Sequence, residues 1–308
     1  MPPQIRPLSA ELQAKAKEYL NEVPERIEAD LETLKTWIDQ QPHLNSRKDD
    51  QFLIAFLRGC KYSLERTKSK LDKYYTLRTK YPELFNITDI DDPKFREIQR
   101  LGPIIFLPNL YNGARVGIFR MGVTPADKYK ITDVMRVGLA MQELSILEDD
   151  DALISGVVFI MDMKGATASH LFQMTPGLAK KMTVFNEEAF PIRPKAQHFV
   201  NVIPGFETVF NMIKPMMSKK QQGRLFIHSN IDSLMEQLPL KYLPKEYGGE
   251  NGSIEESTTI WGKKIEDHRD YYKANAQYGT DEKLRPGVPI DFESIFGIEG
   301  SFRKLNVD

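Results

Sequence analysis

The chain has 308 residues, of which 41% are hydrophobic and 28% charged, and its formal net charge is −1. The composition predicts a folded protein, and the balanced charge excludes a global field that would attract nucleic acid or an anionic membrane. The single cysteine, Cys60, excludes an intramolecular disulfide and a zinc site of several thiolates. Because no apolar run is typical of a signal peptide or a membrane span, we expect a cytoplasmic protein.

The first part of the chain, residues 1–95, has apolar residues at spacings of three and four, which predicts a domain of packed helices. Ser9, Asp49 and Ser63 stand where they can cap three of these helices, and Pro42 ends one of them. We therefore expect a small N-terminal helical bundle.

Residues 96–278 change to β-rich runs that alternate with helical patterns. The predicted strands are 104–107, 115–120, 156–162, 197–202 and 224–227, and the predicted helices between them are 132–147, 175–188 and 205–214. The first two strands flank Asn112-Gly113 and form a hairpin, whereas the later strands favour parallel pairing. The acidic run 148–151 is expected to be a solvated loop. The fold class is therefore α/β, with a mixed, mainly parallel sheet and crossover helices, and the tail 279–308 is expected to wrap the surface.

Catalytic chemistry has little support in the sequence. None of the five histidines has metal-ligand spacing with another histidine, and no nucleophile elbow, Walker loop or dinucleotide fingerprint occurs. Asp162 ends a buried strand, where a turn carboxylate that caps the next segment is the favoured interpretation. We therefore expect no enzyme, no metal and no cofactor.

A series of motifs resembles the CRAL-TRIO family, in the order in which that family has them. The segments are 52–62, 73–78, 158–165, 172–181, 190–195, 210–215 and 242–249, within residues 9–273. The resemblance is strongest to the alpha-tocopherol transfer and cellular retinaldehyde-binding branch, and 300–305 is similar to insect members. It implies the CRAL-TRIO lipid-binding fold, with one hydrophobic molecule in a cavity beside the sheet and a movable helical gate above it.

The gate is expected in the helix 205–214. Its apolar residues fall at i, i+3, i+4 and i+7, namely Phe206, Val209, Phe210 and Ile213. Pro204-Gly205 precedes the helix and Pro215 stops it. These residues alone favour a helix that packs permanently on the sheet. The resemblance implies a gate whose open face would contact a bilayer.

A basic patch is expected beside the gate. Its members are Lys61, Arg193, Lys195, Lys220 and Arg224. Taken alone they could be solvated surface cations, but the resemblance implies a site for a phosphoinositide head group. The alpha-tocopherol transfer proteins have a further arginine where this chain has Cys60, and Lys61 could substitute for it.

The resemblance also implies the walls of the ligand pocket. They are Met135, Gly138, Leu139, Gln142, Val157, Met161, Met174, Phe185, Phe190 and Ile192. Gly138 and Gln142 stand where the alpha-tocopherol transfer proteins have serines. Gln142 could orient a hydroxyl, an aldehyde or a ring oxygen, or it could bond the backbone. The cargo is thus left open among tocopherol, a retinoid, a carotenoid, a sterol-like lipid and a phospholipid.

Together these features predict an intracellular lipid transfer protein that sequesters one small hydrophobic ligand and releases it at phosphoinositide-containing membranes. We expect a monomer that associates with the membrane transiently and does not bind nucleic acid. The alternative is a lipid-sensing regulatory or adaptor protein, in which a bound lipid controls a protein partner. An enzyme acting on the bound lipid ranks third.

Overall fold

The computed structural model describes residues 4–287 and Ile290, so 300–305 and most of the tail 279–308 lie outside the described residues. The N-terminal region is helical, as its periodicity predicts. Its helices are α1 (Ala10–Leu20), α2 (Ile27–Asp39), α3 (Asp50–Gly59), α4 (Leu64–Lys80) and α5 (Pro82–Phe85). Ser9 and Asp49 accept the expected capping bonds, whereas Ser63 holds the cap position of α4 without a side-chain bond.

The central sheet has five strands in the order β2-β3-β4-β5-β6. Their bounds are β2 (Ile104–Phe106), β3 (Arg115–Arg120), β4 (Val157–Asp162), β5 (Pro194–Val200) and β6 (Leu225–Ile227). β2 pairs antiparallel with β3, which confirms the hairpin, and the other neighbours are parallel. A separate ladder joins β1 (Leu44–Asn45) to β7 (Gly279–Thr280), so the start of the tail returns to the N-terminal helices.

Helices cross over between the parallel strands and flank the sheet. They are α6 (Pro93–Arg100), α7 (Ile131–Glu148), α8 (Asp150–Ser155), α9 (Ala168–Phe172), α10 (Pro176–Val184), α11 (Phe206–Ile213), α12 (Lys219–Gln222), α13 (Ile231–Met235), α14 (Ile254–Asp267) and α15 (Arg269–Ala274). A π-helical turn, Phe185–Ala189, continues α10. We propose that residues 1–95 form the N-terminal helical domain, that residues 96–278 form the second domain, and that residues 279–308 form the tail.

The acidic run 148–151 is not a solvated loop, so that prediction was wrong. Asp149 caps α8 and forms a two-point ion pair with Arg115, with Nε–Oδ2 2.6 Å and Nη2–Oδ1 3.2 Å. Asp150 accepts from Arg58 at 3.1 Å and from Arg6 at 2.5 Å. The run is ordered because arginines from distant parts of the chain neutralise its carboxylates.

The two faces of the sheet are packed differently. On one face, Ile118 and Ile160 belong to a closed cluster with Leu234 and Leu238. On the other face, the side chains of the same strands belong to the main core, which the N-terminal helices share. The helices α7, α10 and α11 lie over this second face.

A buried ion pair joins α3 to the residues that follow α1 within the N-terminal region. Arg58 of α3 binds Glu22 at two points, with Nε–Oε2 2.8 Å and Nη2–Oε1 3.2 Å, and the hydroxyl of Tyr62 donates to the same carboxylate at 2.7 Å. Arg58 is 1% exposed and Glu22 2%. Because both charges are out of water, each depends on its partner.

A second buried polar contact joins β5 to the end of β6. His198 Nδ1 lies 2.9 Å from Nε2 of His228, and the His198 ring stacks on Phe226. Burial, reinforced by His228, lowers the pKa of His198 to about 4. The hydroxyl of Ser233 lies 3.3 Å from the other ring nitrogen of His228, Nδ1. Burial lowers the pKa of His228, although Ser233 and Glu236 act to raise it.

We expect Glu22→Ala to lower the free energy of unfolding by about 3 kcal/mol, because it leaves Arg58 buried without its main partner. Denaturant titration of the variant measures this loss. Glu25→Ala removes an exposed carboxylate close by and is the matched control. Equal stability of the two variants would contradict the assigned importance of the pair.

Stability should also fall as the pH drops. The unfolded chain protonates His198 near its ordinary pKa of 6.5, and the folded chain only near 4, so the unfolded state binds more protons between these values. The stabilisation is present above pH 6.5 and is lost towards pH 4. We expect His198→Gln to flatten this dependence by on the order of 2 kcal/mol, measured by denaturant titration across the window. His268→Gln should retain the full dependence, and a parallel profile for His198→Gln would contradict the assignment.

Candidate functional site

A cavity of about 300 Å³ lies between the second sheet face and the helices above it. Nine of the ten predicted pocket residues line it, namely Met135, Gly138, Leu139, Gln142, Met161, Met174, Phe185, Phe190 and Ile192. Val157 does not. It lies at the start of β4, on the same face as Met161, and is completely buried in the main core.

Methionines and aromatic rings make up much of the wall. Seven of the 12 methionines line the cavity, and they are Met121, Met135, Met161, Met163, Met174, Met182 and Met217. The sequence analysis missed Phe119, Phe159 and Phe199, although the alternation of side chains along β3, β4 and β5 carries that signal. The wall is therefore apolar and made largely of side chains that adapt their shape.

The predicted gate helix, α11, covers one side of the cavity. Phe206, Val209 and Ile213 line the cavity, whereas Phe210 does not and instead packs its ring 5.5 Å from the rings of Phe199 and Phe206. Phe206 is the one buried residue of α11. Gly205 begins the helix with φ 87°, a conformation that favours glycine. On this side the cavity is thus covered by a helix that buries a single side chain.

Four amide side chains also line the cavity: Gln142, Asn186, Gln197 and Gln221. None of these amides is hydrogen-bonded to another of the described residues, so the expected alternative of a Gln142–backbone bond is not formed. His170 lines the cavity as well, but Thr167 and the carbonyl of Thr124 occupy its ring nitrogens at 2.9 and 2.8 Å. The free amides are the polar groups that can orient a guest.

The five predicted cations lie close enough to affect one another. Burial lowers the pKa of Lys195, and Arg193, Arg224, Lys61 and Lys220 lower it further in that order. The chain separates these residues widely, so the fold assembles the patch.

A sixth cation, Arg66 of α4, belongs to the same group, since it contributes to a lowered pKa of Lys220. We call Lys61, Arg66, Arg193, Lys195, Lys220 and Arg224 the basic cluster. The sequence analysis missed Arg66 because only the packing of α4 brings it there. Across residues 4–287, no member of the basic cluster is paired with a carboxylate. The cluster therefore carries a positive charge that nothing in this part of the chain neutralises.

Backbone carbonyls hold the arginines of the basic cluster in place. Arg193 donates to the carbonyls of Leu153 at 2.8 Å and Ile154 at 2.5 Å, and Arg224 donates to that of Pro194. Burial, with Arg224 nearby, lowers the pKa of Arg193 to about 10, so the guanidinium remains charged at neutral pH. Arginines held by backbone carbonyls, with lysines beside them, can bind an anion with several oxygens, such as a phosphate.

Cys60 supplies no charge at this site. It is 4% exposed, and burial raises the pKa of its thiol. Lys61 follows Cys60 and lowers the pKa of Lys195. A cation therefore stands next to the position at which the resemblance implies an arginine.

The candidate carboxylate at the end of β4, Asp162, has structural partners. Asp162 accepts from the backbone of Lys164 at 2.9 Å, from Asn201 at 2.7 Å and from the hydroxyl of Tyr247. This carboxylate closes the turn after β4. In the part of the chain that the structure covers, no three His, Cys, Asp or Glu side chains are arranged to hold a metal ion. Nor do the covered helices include one with the length and apolarity needed to cross a membrane.

Comparison with known proteins gives two family matches and a set of relatives. Residues 23–95 match the family model "Pinta-like, UBA domain", and residues 102–249 match "CRAL/TRIO domain". Alpha-tocopherol transfer protein-like from Homo sapiens is 32% identical over 255 residues, which are 82% of this chain and 73% of the relative. Clavesin-2 from Rattus norvegicus is 26% identical over 289 residues, which are 93% of this chain and 87% of the relative. The chain belongs to the CRAL-TRIO family.

Proposed function

We propose that this protein is a cytoplasmic lipid transfer protein, and not an enzyme, which holds one small hydrophobic ligand and delivers it to a membrane. The observation that carries this proposal is the apolar cavity, which α11 covers on one side. Burying an apolar molecule there contributes roughly 25 cal/mol per Å² before the costs of association. Membership of the CRAL-TRIO family supports the same role.

The size of the cavity favours some cargoes over others. About 300 Å³ stands at the small end of the range for sites that hold drug-sized ligands. Tocopherol, a retinoid or a sterol-like lipid suits that size better than a carotenoid or a phospholipid with two acyl chains. The name of the human relative supports tocopherol, whereas Gly138 and Gln142 argue for a polar group placed differently from that of tocopherol in its transfer proteins.

We place delivery at phosphoinositide-containing membranes. Phe172, at the end of α9, is 81% exposed, and its neighbour Leu171 packs in the same cluster as Phe206 of the gate. An exposed aromatic ring beside a gate is suited to insertion into a bilayer interface. The basic cluster supplies a phosphate site, and a membrane that binds the open state more tightly than the closed state drives release.

Identification of the cargo tests the central proposal. The protein is purified from its native source under mild conditions and denatured, and the organic extract is analysed by mass spectrometry. We expect one stoichiometric hydrophobic molecule, together with transfer of that molecule between vesicles. Protein that is empty, and stays empty after incubation with mixed lipid vesicles, would favour the adaptor alternative.

Met161→Trp should abolish cargo retention, because the larger side chain projects from β4 into the cavity and occupies the ligand's volume. The measurement is the molar ratio of extracted lipid to folded protein. Ile227→Trp enlarges a half-exposed side chain on β6 outside the cavity and is the control. Normal loading of Met161→Trp would contradict the location of the site.

Lys220→Glu should weaken binding to phosphoinositide-containing vesicles at least tenfold, because it reverses one charge within the basic cluster. Vesicle co-sedimentation at low and physiological salt measures the change. Lys219→Glu makes the same charge change on α12 at a residue that does not act on Lys195 or Arg193, and it should lose less. Equal losses would indicate a general charge effect and contradict a phosphate site in the cluster.

A further inference from the structure

The cavity extends across the sheet, with polar amides on both sides. At the β2 side, Gly138 of α7 packs on the side chain of Ile104, and Gln142 follows one helical turn later. At the other side, Gln197 stands on β5 and Gln221 on α12. The backbone N–H of Gln197 donates to the carbonyl of Arg224 at 2.8 Å, which places the end of α12 beside β5. Three strand spacings separate β2 from β5, a distance of about 14 Å.

The second side has a surplus of hydrogen-bond acceptors. The amide oxygen of Gln221 is buried and has no hydrogen-bond partner among the residues described. The carboxylate of Glu187, which lines the same cavity, accepts from the backbone of Ser218 at 3.1 Å. A buried acceptor without a donor is costly, and its cost is removed when a guest supplies one. The matching group is one that donates a hydrogen bond, and a hydroxyl is the neutral donor that an apolar lipid most simply carries.

We propose that Gln221, with Gln197 beside it, forms a second polar subsite that receives a hydroxyl group at the far end of the cargo. The preferred ligand is then an elongated apolar molecule with a hydrogen-bonding group at each end, one at Gln142 and one at Gln221. This inference rests on the proposed function, since it concerns the cargo of the same cavity. The preferred cargo is therefore a lipid with a polar group at each end. A lipid with one polar group, such as an ordinary fatty alcohol, does not belong to this class.

The test compares two probes that differ in one group, dodecanol and the dodecanediol with a hydroxyl at each end. Kd is measured by displacement of a fluorescent lipid from the full-length protein and from Gln221→Leu. We expect Gln221→Leu to weaken the diol about tenfold and to change dodecanol by less than about twofold, because dodecanol keeps its hydroxyl at Gln142. Gln222→Leu is the matched control on α12, since its amide bonds the carbonyl of Met217 and lies outside the cavity.

Other outcomes overturn the proposal in distinguishable ways. If Gln221→Leu weakens the binding of both probes equally, Gln221 contributes only to packing. If the Kd of neither probe changes, the subsite does not contact the ligand. A loss of diol preference in Gln222→Leu as well would assign the effect to α12 as a whole. Failure of the unaltered protein to bind either probe would instead overturn the proposed carrier function.

Discussion

A void of about 300 Å³ has to stay open inside a folded core, and the unequal packing of the two sheet faces makes this possible. One face is closed by apolar side chains such as Leu234 and Leu238, so the sheet is fixed from that side. On the other face, Phe159 and Met161 line the cavity, so a ligand there makes dispersion contacts with them. Such a ligand stabilises the fold, so loading and stability are linked.

The frame of the cavity depends on the N-terminal helices. Phe85 lines the cavity and stacks on Phe185 with ring centroids 4.2 Å apart. Lys70 of α4 donates to the carbonyls of Glu187 and Phe190 at 2.8 and 2.9 Å, at the end of the π-helical turn. Burial in this contact lowers the pKa of this lysine to about 8. The N-terminal region is therefore part of the binding site as well as a neighbouring domain.

Periodicity and turn chemistry predicted the hairpin, the parallel strands and the helix α11, because these features depend on local sequence. The cavity walls were predicted through the family resemblance, which fails at Val157 because this side chain is completely buried in the main core. Two further errors involve charges. Arg66 joins the basic cluster, and Asp149 forms an ion pair with Arg115, through contacts between residues that are far apart in the chain. Local sequence does not predict such distant partners. It also does not predict that the amide oxygen of Gln221 lacks a hydrogen-bond partner among the described residues.

The ladder between β1 and β7 sets an order of assembly. Leu44 pairs with Thr280, and farther along, Arg285 binds the carboxylate of Asp72 with Nη1–Oδ2 2.6 Å. The N-terminal helices leave the ribosome well before residues 279–285, which make the last contacts with them. At about 5–20 residues per second this interval is on the order of tens of seconds. During that time the nascent N-terminal helices lack this covering segment, so we expect them to be a substrate for chaperones until residues 279–285 have been translated.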